Sequence, residues 1–90
     1  MSELSRYTLE EVARNDGKNG ANTWLVIHDM VYDVTAYKNK HPGGAELLEE
    51  YAGQDATRDF DEFGHSSDAK RLLKTFLVGE LVEVKIDIDL

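Results

Sequence analysis

"KNKHPGGAELLEEYAGQDATRDFDEFGHSSDAKRLLKTF", residues 38–76, decides how the rest of the chain is read. It holds two histidines, His41 and His65, each at a helix boundary beside glycine. Pro42 fixes its own φ, removes an amide donor and pushes His41 towards extended backbone. Gly43 and Gly44 permit close approach and positive φ. Together they make a stiff post for an imidazole. Gly64 does a similar job before His65 by stopping a helix abruptly.

A histidine at a helix end is ordinarily a cap or a surface residue, because imidazolium complements the C-terminal dipole. The flanking sequence sets this pair apart. "AELLEEYAG" reads as a helix with Leu47, Leu48 and Tyr51 on one side, and Gly53 suits its left-handed stop. Asp55 caps "ATRDFDEF", whose Ala56, Phe60 and Phe63 share a face. Ser66 or Ser67 caps "DAKRLLKTF", with Ala69, Leu72, Leu73 and Phe76 inward. Helices of two or three turns are marginal alone in water and need something to pack on. Two helix pairs thus flank the two histidines. Their bulky apolar faces either fill one another's space or line a slot for an apolar ligand.

On the N-terminal side, Thr8 and Glu11 form a capping-box pattern at the start of "YTLEEVARN", with Leu9, Val12 and Ala13 on one face. "DGKNGAN", residues 16–22, is a loop by its glycine and asparagine content. "TWLVIHDMVYDV" predicts two strands about a tight turn near Asp29 and Met30, with one face buried. Thr35 is placed to cap a helical turn through "AYKNK". On the C-terminal side, "FLVGELVEV" supplies a closing strand, and "VEVKIDIDL" continues an alternating pattern. Strands first and last with helices clustered between them predict an α+β fold rather than alternating βαβ.

The chain has 90 residues, without repeat, low-complexity stretch or linker, which suits one domain with one core. It has no cysteine, which excludes disulfides, thiolate nucleophiles, thiolate metal sites and covalent haem attachment. The N-terminus shows no signal-peptide pattern, and no run approaches the roughly 18 to 20 apolar residues that cross a bilayer. The chain as given is expected to be soluble. Eighteen acids against ten bases give a net charge of −8, which argues against nucleic acid and favours basic protein partners. The charge is uneven. Glu46, Glu49, Glu50, Asp55, Asp59, Asp61 and Glu62 oppose Arg58 alone over residues 45–62, whereas Lys70, Arg71 and Lys74 outnumber Asp68 over residues 66–76.

"HPGG", the following "AGQDAT", "FGHSSDA", the "VGEL" near the end, Trp24 and "VYDVT" together resemble the cytochrome b5 family. The resemblance runs from about Tyr7 to Leu81. It implies a small mixed β-sheet supporting two short helix pairs that form a haem pocket, within a single domain over residues 1–90. It implies that His41 and His65 ligate one non-covalent haem b from opposite sides. Two neutral imidazoles leave iron no open position, so an electron carrier without catalytic residues is expected, not an enzyme. Each ligating ring should donate its second N–H to a backbone carbonyl near the glycines. Ile27, Val34, Tyr37, Pro42, Leu47, Leu48, Phe60, Phe63, Leu72, Leu73 and Phe76 are the candidates for contact with the cofactor. Phe63, two residues before His65, is the first choice. Tyr37 stands where relatives often carry phenylalanine. His28 matches no ligand and is expected to be structural or exposed.

The resemblance also implies function and partners. Electrons would come from a flavin-dependent cytochrome b5 reductase and pass to acceptors such as desaturases or haem-thiolate monooxygenases. Glu46, Glu50 and Glu62 match positions around the exposed haem edge and would dock basic acceptor proteins, although Ala45 departs from relatives that carry an acid there. The expected setting is a monomer in the cytoplasm, or on the cytosolic face of the endoplasmic reticulum if the natural protein has an anchor. The rival readings are an excised redox module of a larger enzyme, a haem-free binding or scaffold protein of the same fold, and a zinc site on the two histidines. The last needs a third close ligand that nothing at suitable spacing supplies.

Overall fold

A computed structural model describes residues 4–41 and 44–82. The elements run β1 (Ser5–Tyr7), α1 (Leu9–Arg14), β2 (Trp24–Ile27), β3 (Met30–Asp33), a 3₁₀ turn (Lys38–Lys40), α2 (Ala45–Tyr51), β4 (Gln54–Asp55), α3 (Thr57–Phe63), α4 (Ser67–Lys74) and β5 (Leu77–Leu81). The five strands form one sheet in the order β1-β5-β3-β2-β4. The two outer pairings, β1 with β5 and β2 with β4, are parallel, and the inner two are antiparallel. The sheet is therefore mixed and the fold α+β, as expected.

Both faces of the sheet are covered, so the buried face expected from the alternation is joined by a second. Val12 of α1 packs with Val26 and Val31, all three wholly buried, and Tyr7, Trp24, Val78 and Leu81 close over them. Leu25, Ile27, Tyr32, Val34 and Ala56 form the second cluster, against which Leu48, Phe60, Leu73 and Phe76 pack. Strand alternation delivers this division: Val26 points to the α1 side, Leu25 and Ile27 to the other. Gly79 has no room for a side chain. A Cβ there would stand 2.5 Å from the Ser5 carbonyl oxygen and 2.7 Å from the Tyr7 ring.

Local chemistry accounts for the element ends. The Thr8 hydroxyl accepts from the Glu11 N–H at 3.1 Å, and the Glu11 carboxylate accepts from the Thr8 N–H at 3.3 Å, which completes the capping box. Ser66 caps α4 by accepting from the Ala69 N–H at 3.1 Å. Asp55 accepts from the Thr57 N–H at 2.9 Å, but Ala56 occupies the cap position, so α3 begins one residue later than a simple Asp cap predicts. The β2–β3 turn is centred on His28 and Asp29, with φ of 50° and 62°, one residue earlier than expected. Two left-handed residues are what a tight hairpin matched to strand twist requires. Thr35 does not cap the 3₁₀ turn. Its hydroxyl donates to Asp33 at 2.5 Å and accepts from the Thr23 N–H at 2.8 Å, so it ties the end of β3 to the start of β2.

Candidate functional site

The three helices α2, α3 and α4 stand off the sheet and enclose a cleft of about 410 Å³. That volume lies in the range of small-molecule and cofactor sites. Leu25, Ile27 and Val34 supply its sheet side; Leu47, Leu48 and Tyr51 come from α2; Phe60 and Phe63 from α3; Ala69, Leu72 and Leu73 from α4. Tyr37, Ala56 and Phe76 complete the apolar lining, and His41 and His65 are the two imidazoles on it. Ten of the eleven wall candidates therefore line one cleft. The eleventh, Pro42, lies outside the described residues.

Leu25, Tyr51, Ala56 and Ala69 also line the cleft, beyond the wall expected from the sequence. The signal was present. Leu25 is two positions from Ile27 on a strand, Tyr51 follows Leu47 and Leu48 at helical spacing, and each alanine shares a face with larger residues already selected. Phe63 lies at the outer edge of the wall, 66% exposed, and Leu72 is 41% exposed. Large apolar side chains left this open are what a bound apolar partner would cover.

Both imidazoles are held through Nδ1 by a backbone carbonyl. His65 Nδ1 lies 3.1 Å from the Phe60 oxygen, and His41 Nδ1 lies 3.3 Å from the Gly44 oxygen. A carbonyl only accepts, so each ring donates there. In a neutral ring held this way, Nε2 carries the lone pair and is the nitrogen free to bind a metal. The His65 ring also stacks on Phe60, with centroids 4.2 Å apart and planes 12° from parallel. His41 meets the edge of Tyr37 at 6.0 Å, and Tyr37 in turn packs on Phe76 at 5.1 Å. His65 is thus the more tightly oriented of the two.

A large apolar cleft lined by two imidazoles fits a flat, largely apolar macrocycle carrying iron. Among the described residues no group of three histidines or acids comes together as a metal cage. That leaves the zinc reading without a third ligand there. On the cleft wall, hydrogen bonding to Asp59, then partial burial and nearby negative charge, push the Tyr51 phenol up to about 12. Glu46 and Glu50 are exposed and, among the described residues, make no ion pair, whereas Glu62 pairs with Arg58 at 3.2 Å. His28 is exposed and outside the cleft, as expected.

The fold and its cleft define a small α+β domain with an apolar cleft between its helices and its sheet. The family model described as "Cytochrome b5-like Heme/Steroid binding domain" matches residues 8–82. Cytochrome b5 of Sus scrofa is 52% identical over 75 residues, which cover 83% of this chain and 54% of the relative. Cytochrome b5 of Musca domestica is 51% identical over 80 residues, covering 89% of this chain and 58% of the relative. The chain spans a little over half the length of these curated relatives. Among solved structures, Ectothiorhodospira vacuolata cytochrome b558, described as a prokaryotic homologue of cytochrome b5, is 38% identical with a TM-score of 0.73, covering 87% of this chain and 99% of that one. Cytochrome b5 of Ostreococcus tauri virus 2 is 32% identical with a TM-score of 0.71, covering 84% and 95%. The chain belongs to the cytochrome b5 family. Haem b goes with that membership. No helix among the described residues is long and apolar enough to cross a membrane.

Proposed function

We propose that this protein is a one-electron carrier in which His41 and His65 hold a non-covalent haem b through their Nε2 atoms. The observation that carries this reading is the pair of Nδ1-to-carbonyl hydrogen bonds, which leaves both rings in the metal-binding tautomer on one apolar cleft. When bound, the haem supplies an iron centre that exchanges one electron. The chain's own residues do the rest. The two carbonyls orient the rings, and His41 and His65 would hold the iron of a bound haem through Nε2. Leu47, Leu48, Phe60, Leu73 and Phe76 keep water from the site and lower the local dielectric, while Phe63 and Leu72 close its outer edge.

Charge supports a docking face, and the family suggests the partners. Glu46 and Glu50, and Glu62 beyond its contact with Arg58, form an acidic flank on α2 and α3 that suits a basic electron acceptor. A flavin-dependent cytochrome b5 reductase is the donor that fits the family, and oxidases such as desaturases or monooxygenases are the acceptors. The protein works as a monomer in the cytoplasm or, where the natural protein carries an anchor, on the cytosolic face of the endoplasmic reticulum.

Replacing Glu46, Glu50 and Glu62 together by lysine tests the docking. At low salt the variant should reduce a basic acceptor protein roughly 10- to 100-fold more slowly. Its reaction with a small neutral oxidant should stay within about 2-fold of the parent, because no steering is involved. The difference should shrink as salt rises and screens the exposed charges. Stopped-flow rates for the two oxidants across a salt series provide the measurement; equal slowing of both would remove these acids from docking.

A further inference from the structure

His28 lies outside the cleft, yet it grips one of the helices that build it. With φ of 50°, it occupies a left-handed turn position that glycine or asparagine takes at less cost. Its backbone N–H donates to the Thr57 hydroxyl at 2.8 Å, and its Nε2 lies 2.8 Å from the Asp61 carboxylate. Thr57 and Asp61 stand one turn apart on α3, so His28 holds that helix at two levels of one face. The cleft side of α3 carries Phe60 and Phe63.

Elsewhere α3 is tied at its start, where Asp55 accepts from the Thr57 N–H at 2.9 Å and the Ala56 N–H donates to the Val26 carbonyl at 2.7 Å. Phe60 packs against the sheet, so the outer face of α3 depends on His28. The helix has seven residues, no side-chain bond from its cap position and no fully buried residue. A helix that short does not hold itself in water. Phe60 nevertheless orients His65 twice, through its carbonyl at 3.1 Å and through the ring stacked at 4.2 Å. A shift of α3 therefore moves both constraints on His65 together.

We propose that His28 is a positioning residue for the haem site: by clamping the outer face of α3 through Thr57 and Asp61, it holds Phe60, and through Phe60 the His65 ring, in ligating register. The proposal rests on the bis-histidine reading above. The clamp acts on alignment more than on overall stability. The His28 and Asp61 side chains are 61% and 53% exposed, and an exposed pair contributes little to folding.

The test uses the haem-loaded protein with His28→Asn, Asp61→Ala, the double variant and Asp61→Asn. Asparagine tolerates the left-handed turn and keeps the backbone donor to Thr57, so His28→Asn removes only the ring. Three quantities are read: haem transfer to an excess of a scavenging apoprotein, the low-spin electron paramagnetic resonance g values, and the melting temperature of the haem-free form. Each of the first two variants should release haem about 2- to 5-fold faster, the scale of one exposed pair, with shifted g values. The double variant should be no worse than either single, because the two side chains act as one unit. Asp61→Asn, which can still accept from Nε2–H, should stay within about 2-fold of the parent. The haem-free melting temperatures should not follow the release rates. Parental release rates and g values in both singles, additive effects in the double, or release that tracks haem-free stability would each overturn the clamp. Asp61→Ala keeps the test open if His28→Asn folds poorly. A parent protein without a low-spin spectrum would instead overturn the bis-histidine reading before any variant is compared.

Discussion

His65→Ala is expected to abolish the low-spin haem spectrum, and His41→Ala to do the same. Each substitution leaves one axial position without its imidazole, so iron becomes five-coordinate or takes water, and the spectrum turns high-spin. Retention should fall by more than the roughly 10- to 100-fold that loss of an outer hydrogen-bonding partner costs a metal site, because a ligand itself is gone. The His65 variant should also loosen its surroundings more. His65 stacks on Phe60 and bonds to its carbonyl, while His41 has only an edge contact with Tyr37 and a 3.3 Å contact to Gly44. Optical titration of each variant with haem reads both effects. A variant that takes up haem stoichiometrically with the parental spectrum is not missing a ligand, and that histidine would lose its role.

Removing haem should lower the melting temperature by about 15–30 °C. A ligand at roughly 1,000 times its dissociation constant stabilises the folded state by about 4 kcal/mol, and each kcal/mol moves the midpoint of a domain this small by about 4–8 °C. The loss should be local before it is global. Val12, Val26 and Val31 are wholly buried around the sheet, whereas α2, α3 and α4 contain no fully buried residue. Without haem the cleft wall has no apolar partner, and Phe63 and Leu72 face water. Hydrogen exchange should therefore quicken first over residues 35–76, and β2 and β3 should keep their protection. Equal protection in the haem-free and haem-loaded forms would contradict this division.

Periodicity carried most of the site. Leu47 with Leu48, Phe60 with Phe63, and Leu72 with Leu73 each lie on the apolar side of a short helix, and the structure brings all six to one cleft. Periodicity cannot show that three separate faces converge, and it cannot pair His41 with His65; the resemblance supplied that. Strand β1 was not legible, because three residues that are mostly exposed gain their ladder only from a parallel partner at the far end of the chain. The hairpin was read one residue late because His28 and Asp29, unlike Asn-Gly, do not announce left-handed backbone. Thr35 satisfied a cap pattern locally, but Asp33 and the Thr23 amide compete for the same hydroxyl and win. The terminal "VEVKIDIDL" alternates like a strand from Val82 onward, and its residues after Val82 lie outside those described.

The most direct test of bis-histidine electron transfer is the absorption spectrum of the haem-loaded protein, oxidised and then reduced, with and without carbon monoxide. Two imidazoles on one iron predict a sharp low-spin spectrum that cycles between the two states and is unchanged by carbon monoxide. A high-spin spectrum, or ready binding of carbon monoxide, would show an open coordination position and contradict the assignment of both His41 and His65 as ligands.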